Sequence, residues 1–187
     1  LLPDHFYRHD VVYVVDGEES REGLPAQQLP DAMKRLVDFA NAKDGINELH
    51  KAAILHFAFA YYHPYFDGNG RTARLLHLWY LVQQGYPAAL FTPFSRYIAE
   101  SKAAYYKAYD RVEKNALISG YTDVTPFLSY FCNEVYNRLQ VDAAPPQAAR
   151  LSAMAPARKA ETKRFITGFL PRYFPKDVPS RFIILSC

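Results

Sequence analysis

Two helix-period segments broken by a short stretch that cannot be helical lie between residues 46 and 84, and this break constrains the fold more than any other feature. Ile46, Leu49, Ala53, Phe57 and Ala60 recur at three and four residues, the spacing of a helix with one buried face. The pattern stops at His63-Pro64, because the residue before a proline is pushed out of helical geometry. Asp67-Gly68-Asn69-Gly70 follows as a turn. A helix then restarts near Arg71 and runs to about Gln84, with Leu75, Leu78, Trp79 and Val82 as its apolar stripe and Gly85 past its end. A glycine-rich loop thus joins two helices, with a histidine on one side and two arginines on the other.

The flanking sequence is mostly helical. Val11-Val12-Tyr13-Val14-Val15 is a β-branched run closed by Asp16-Gly17, a strand entering a tight turn. Residues 18–30, with Glu18, Glu19, Ser20, Gly23, Pro25 and Pro30, predict the rest of a hairpin and then a loop. Asp31 reads as the N-cap of a helix carrying Met33, Leu36, Val37 and Ala40, and a second helix begins at Asn47 or slightly earlier. Two more are expected, from Ser101 to about Lys114 and from Val124 to about Leu139. The fold class is therefore mainly α with one small hairpin near the N-terminus.

Ala143-Ala144-Pro145-Pro146 opens an Ala/Pro-rich segment that reads as a linker over 143–157, which sets a core at 1–142. Residues 158–187, with a short helix near Ala160 to Leu170 and then Pro171, Pro175 and Pro179, are too few for a core of their own. They are expected to pack on the main domain or to begin a further one.

A length of 187 residues fits one domain, or one domain with an appendage. Half the residues are hydrophobic, which excludes global disorder. The 22 basic and 19 acidic residues are mixed along the chain, and a net charge of +3 is too mild to argue for nucleic acid. Cys132 and Cys187 are far apart and form no metal motif, so a reduced, cytoplasmic setting is expected. No stretch reaches the ~18 consecutive apolar residues of a membrane helix, and no signal peptide is evident. The chain opens on Leu1, and residues upstream of it are expected.

The loop after His63 has the parts of an anion site. Glycines allow positive φ and turn successive N–H groups inward as a nest, and the helix N-terminus adds partial positive charge. Arg71 and Arg74, three residues apart, lie on one side of that helix and can converge on phosphate oxygens. Asp67 would sit beside a phosphate only with a divalent cation between them, and Mg²⁺ supplies that bridge. His63 is the one nearby group whose ordinary pKa lets it take a proton near neutral pH. Together they suggest phosphoryl or nucleotidyl transfer to a hydroxyl.

Each fragment alone has a plainer reading, as a common turn or a helix-ending histidine; their conjunction points to chemistry. A calcium loop fails at Thr72, where glycine is needed, and at Leu78, where glutamate is needed. A P-loop fails for want of Gly-Lys-Ser/Thr.

Residues 63–74, His-Pro-Tyr-Phe-Asp-Gly-Asn-Gly-Arg-Thr-Ala-Arg, resemble the Fic signature H-x-F-x-D/E-G-N-G-R-x-x-R. The match falls on His63, Asp67, Gly68, Asn69, Gly70, Arg71 and Arg74, and Tyr65 departs where the family usually has Phe. Tyr65 is expected to pack inward with a partner for its hydroxyl. The likeness runs from Tyr7-Arg8 through the hairpin to about Leu139 and implies a Fic-type helical bundle with a hairpin flap at about residues 7–25.

The resemblance implies transfer of AMP from ATP to a Ser, Thr or Tyr hydroxyl of a protein, the chain itself included. His63 would be the general base, Asp67 would hold Mg²⁺, and Gly68, Asn69 and Gly70 would cradle the phosphates. Arg71 and Arg74 would grip the β- and γ-phosphates. The hairpin, with Val12, Tyr13 and Val14, would dock the target as an added strand, against the alternative of an ordinary edge strand. Tyr105 and Tyr106 resemble a pair lining the family's nucleotide pocket. The S/T-x-x-x-E-G/N inhibitory helix of many relatives is not found here, so it is expected upstream of Leu1 or from an antitoxin-like partner, unless the enzyme is unrestrained. A homodimer is a further expected partner state.

The rivals are a relative with another donor, such as UMP or phosphocholine, and a kinase-like variant, which the intact Gly68-Asn69-Gly70 disfavours. From another class comes a non-catalytic, DNA-linked module using Arg158, Lys159, Lys163 and Arg164. A solvated helix face accounts for those four charges more simply.

Overall fold

The helix that ends at His63 is nearly surrounded by protein, and the N-terminal part of the chain is built around it. A computed structural model describes residues 6–16 and 19–138. The chain divides into two units, one ending at Phe91 and the other beginning at Thr92. The expected linker over 143–157 and the segment 158–187 lie outside the described residues.

In the first unit, β1 (Tyr13–Asp16) pairs antiparallel with β2 (Glu19–Glu22), with Tyr13 opposite Glu22 and Val14 opposite Arg21. A single 3₁₀ turn at Ala26–Gln28 leads into α1 (Leu29–Asn41). The helix starts two residues before the expected Asp31 cap. Pro30 is tolerated in its first turn because the N–H it lacks would have no helical partner there, and Asp31 lies in the same turn, where a carboxylate suits the positive end.

Asn47 caps α2 (Glu48–Tyr62) by accepting the Leu49 N–H at 3.0 Å. Every residue of α2 from Lys51 to Phe59 is buried, so the expected single apolar face understates it. Lys51 is tolerated inside because its ammonium donates to the Ala42 carbonyl at 2.6 Å, meets Asp44 at 2.8 Å and stands 5.0 Å from the Phe39 ring.

α3 (Asn69–Gln83) begins two residues before the expected start and turns an unexpected side inward. Leu75 and Trp79 are 63% and 53% exposed, while Ala73, His77, Tyr80 and Leu81 are buried. The buried set repeats at four, three and one residues, a helical face as regular as the greasier one. His56 of α2 meets His77 of α3 with ring centroids 6.0 Å apart and planes at 82°, so two polar rings share the space that the apolar stripe was expected to fill.

The second unit holds α4 (Phe94–Glu100), α5 (Lys102–Ser119) and α6 (Thr125–Tyr130). The sequence pattern did not announce α4, and α5 runs five residues past the expected Lys114 to a left-handed Gly120. α6 widens into a π-helical stretch at Phe131–Tyr136, where the Asn137 N–H reaches the Cys132 carbonyl five residues back. Its core is aromatic: Tyr109 and Phe127 pack edge to face at 4.8 Å, and Phe127 lies 5.0 Å from Phe131. Six α-helices and one two-stranded sheet among the described residues make the fold mainly α. None of the described helices is long and apolar enough to cross a membrane.

Candidate active site

His63 terminates α2 in the left-handed region, at φ 53° and ψ 58°. It is the only non-glycine residue with positive φ among the described residues. Pro64 explains why the helix cannot continue. The His63 N–H still reaches the Phe59 carbonyl at 3.1 Å, so the turn closes on a regular helical bond before the chain swings away. The ring is half-buried, with Nδ1 3.3 Å from the Ala60 carbonyl oxygen. A carbonyl can only accept, so Nδ1 carries the proton and Nε2 keeps its lone pair. Burial holds His63 below the usual histidine value; the Ala60 bond pulls the other way, and Arg21 and Arg8 add to the lowering. Its Nε2 can therefore accept a proton at neutral pH.

The loop that follows is fixed by Asn69. This side chain is buried, accepting the Tyr65 N–H at 2.9 Å and donating to the Tyr65 carbonyl at 2.7 Å. Both polar ends of Asn69 are thus used within the loop. Gly68 caps α3 at φ 84°, a conformation that favours glycine, and Thr72 makes the first helical bond back to Gly68 at 2.9 Å. Gly70, expected to share the positive φ, lies instead in the regular first turn of α3. Among the described residues no acceptor meets the N–H groups of Asn69, Gly70 and Arg71. They form, with the helix N-terminus, a set of donors able to take an anion.

Arg71 and Arg74 stand on successive turns beside this set. Arg71 donates to Asp67 at 3.0 Å, and Asp67 also accepts the Gly68 N–H at 2.6 Å. The two side chains are 73% and 90% exposed, so water screens the pair and a competing ligand can part it at a cost of about 0–1 kcal/mol. Asp67 is the one carboxylate on the loop, and no group of three or more potential ligands gathers among the described residues. A single exposed carboxylate could supply at most one ligand to a cation such as Mg²⁺, with phosphate and water left to complete the shell.

Tyr65 is half-buried, its ring 5.8 Å from Phe59 and stacked 6.4 Å from Tyr7. The aromatic packing expected of it is present, but among the described residues its hydroxyl makes no hydrogen bond, contrary to expectation. Half-burial leaves room for water to serve it. Val12 and Val14 are partly buried and Tyr13 is 65% exposed. The base of the hairpin lies beside His63: a Cβ added at Gly23 would stand 3.1 Å from Val12 Cγ2 and 3.3 Å from His63 Cβ. Tyr105 and Tyr106 belong to the second unit, both half-buried, with rings 5.4 Å apart; Tyr105 is drawn into that unit's aromatic core and Tyr106 lies 5.6 Å from the Lys102 ammonium.

Two residues that the sequence pattern did not single out stand at this site. Arg8 is buried and donates to the carbonyls of His63 and Asp10, each at 2.7 Å, and to that of Leu24. Arg21 of β2 donates to the Tyr61 carbonyl at 3.1 Å and lies 4.6 Å over the Tyr61 ring. Contacts spanning 40 to 55 residues leave no local periodicity, so nothing in the sequence pattern could have marked either residue.

Residues 8–81 match the Fic/DOC family model, a span that opens at Arg8 and takes in the hairpin, α2, the loop and most of α3. Protein adenylyltransferase fic-1 of Caenorhabditis elegans is 30% identical over 102 residues, covering 54% of this chain and 18% of the relative. A probable protein adenylyltransferase of Aquifex aeolicus is 28% identical over 148 residues, 68% of this chain and 46% of the relative. The chain thus spans under a fifth of the nematode relative's length and under half of the bacterial one's. The crystal structure of a Fic family protein from Desulfovibrio desulfuricans superposes with a TM-score of 0.60 at 25% identity, over 75% of this chain and 42% of that one. The signature loop set between α2 and α3 lies within residues 8–81, and that span is a Fic domain.

Proposed function

We propose that this Fic domain transfers AMP from ATP to a Ser, Thr or Tyr hydroxyl of a protein, and that the chain is one of its own targets. The observation that carries the proposal is His63: a neutral imidazole with its proton held on Nδ1 toward Ala60, at the mouth of a loop whose next helix offers three N–H groups and two guanidinium groups.

In this reading Nε2 of His63 takes the proton of the target hydroxyl. The hydroxyl oxygen forms a bond to the α-phosphorus, and the bond from that phosphorus to the bridging oxygen breaks, releasing pyrophosphate. The N–H groups of Asn69, Gly70 and Arg71 bind phosphate oxygens, and Arg71 and Arg74 steady the departing charge. Mg²⁺ held by Asp67 would neutralise charge on the phosphates. Binding would require the exposed Asp67–Arg71 pair to part, freeing Asp67 to hold the cation and Arg71 to meet the phosphates. The choice of the α-phosphorus rests on the relatives named as adenylyltransferases. The hairpin, with Val12 at the base near His63 and Tyr13 and Val14 farther along the strand, presents the target strand.

Incubation with α-³²P-ATP and Mg²⁺ is expected to label protein, and His63→Ala to abolish the label. Transfer of γ-³²P instead would refute the reading. Because His63 titrates below 6.5, the acidic limb of kcat/KM should also lie below pH 6.5. Competition by UTP as strong as that by ATP would replace AMP as the transferred group.

A further inference from the structure

We infer that Arg8 is the positioning residue for His63, holding the peptide groups on both sides of it so that the ring keeps Nδ1 on Ala60 and Nε2 open to a substrate hydroxyl. The inference rests on the reading of His63 as the base, and it concerns how that base is aimed.

A left-handed histidine is strained and persists only where its surroundings over-determine it. Arg8 does this with one side chain and its own backbone. Its Nε donates to the His63 carbonyl at 2.7 Å, and its N–H to the Pro64 carbonyl at 2.9 Å. Its Nη2 reaches the Leu24 carbonyl and, at 3.4 Å, that of Tyr62. Nη1 meets the Asp10 carbonyl at 2.7 Å, tying the same guanidinium to its own N-terminal segment. Three consecutive carbonyls, Tyr62, His63 and Pro64, are therefore held by one residue, and the middle one belongs to the base.

The geometry demands arginine. The residue is 4% exposed and its donors all meet carbonyl oxygens, while the Glu22 carboxylate favours its charge from β2 and accepts none of those bonds. That is a costly arrangement, and a fork with donors pointing three ways is what makes it tenable. Lysine offers its donors from a single point and cannot span Asp10, Leu24 and His63 together. The N-terminal segment adds ring contacts on the same loop, Tyr7 on Tyr65 and His9 edge-on to Phe66 at 5.3 Å, which keep Arg8 in register.

The test is ¹⁵N NMR of the His63 imidazole with AMP transfer measured in parallel, on the unmodified protein and on Arg8→Lys and Arg8→Gln. The unmodified protein should show His63 protonated on Nδ1 at pH 7.5. The variants should show mixed tautomers and a kcat lowered about 100-fold, the loss expected when a reacting group is misplaced by ~1 Å, with KM for ATP unchanged. An unmodified protein protonated on Nε2 overturns the inference whether or not the variants fold. Folded variants that keep the Nδ1 tautomer and kcat overturn it too. If the unmodified protein transfers no AMP, the nucleotidyl-transfer reading fails, while loss of the tautomer in the variants still upholds the role of Arg8.

Discussion

The buried His56–His77 pair should make this protein unstable in mild acid, and the size of the effect can be worked from the structure. Both side chains are 1% exposed, on the facing sides of α2 and α3. Burial lowers His77 to about 4, opposed by a bond to the Ala52 backbone, and burial holds His56 well below the ordinary value, with His77 and Arg74 adding to it. In the unfolded chain both histidines bind protons below about 6.5. The folded state binds none until much lower pH, so acidification stabilises the unfolded state. For His77 the loss begins as pH falls through 6.5 and is complete near 4. At ~1.36 kcal/mol per pH unit over this window it amounts to about 3 kcal/mol, a large part of a typical 5–15 kcal/mol stability. Urea unfolding followed by circular dichroism, from pH 7.5 to 4, on the unmodified protein and on His77→Gln, isolates this contribution from the carboxylates common to both. The variant should be less stable at pH 7.5, from lost packing, and the gap should close by about 3 kcal/mol toward pH 4. Parallel curves would show that His77 is charged, or able to become charged, in the folded protein.

Asn69→Ala removes both bonds to the Tyr65 backbone and leaves its N–H and carbonyl unserved, which should cost about 2–4 kcal/mol in urea unfolding. Lys51→Ala strands the buried Asp44 carboxylate and should cost about 3–5 kcal/mol, read as a lower Tm at pH 7. Arg21→Gln should raise the NMR-measured pKa of His63, since Arg21 both repels the imidazolium and occupies the carbonyls of Ala60 and Tyr61; an unchanged or lower value would contradict that cause.

The elements read correctly from sequence were those that carry their own stop signals. Asn47 and His63-Pro64 bound α2 in the sequence as they do in the fold, and the β-branched run before Asp16 marks β1. The inward side of α3 was not legible, because Leu75 and Trp79 make the more hydrophobic stripe while Ala73 and His77 make the one that faces protein. Burial there is decided by a partner ring on α2, which no periodicity in α3 records. The signature loop itself was legible as a string of residue types. The division of labour within it was not: Asn69 reads as one more polar residue in a phosphate loop, yet its side chain is consumed in holding Tyr65, leaving only its backbone for a ligand.

The end of α2 sets a conflict that the two arginines resolve. A helix C-terminus carries partial negative charge on its last carbonyls, and a histidine placed there is ordinarily stabilised in its protonated form. A base must do the opposite and stay neutral at working pH. The bond from Nδ1 to Ala60 pushes His63 toward protonation, as expected of that position. Arg21 takes up the carbonyls of Ala60 and Tyr61, and Arg8 those of Tyr62 and His63, so the partial charges that would favour an imidazolium are met by guanidinium groups instead. The same two cations repel a proton from the ring, and burial adds to them, so the balance falls on the neutral side. The helix end can then supply what a base requires, a fixed acceptor for Nδ1–H, without the charge stabilisation that would disable it.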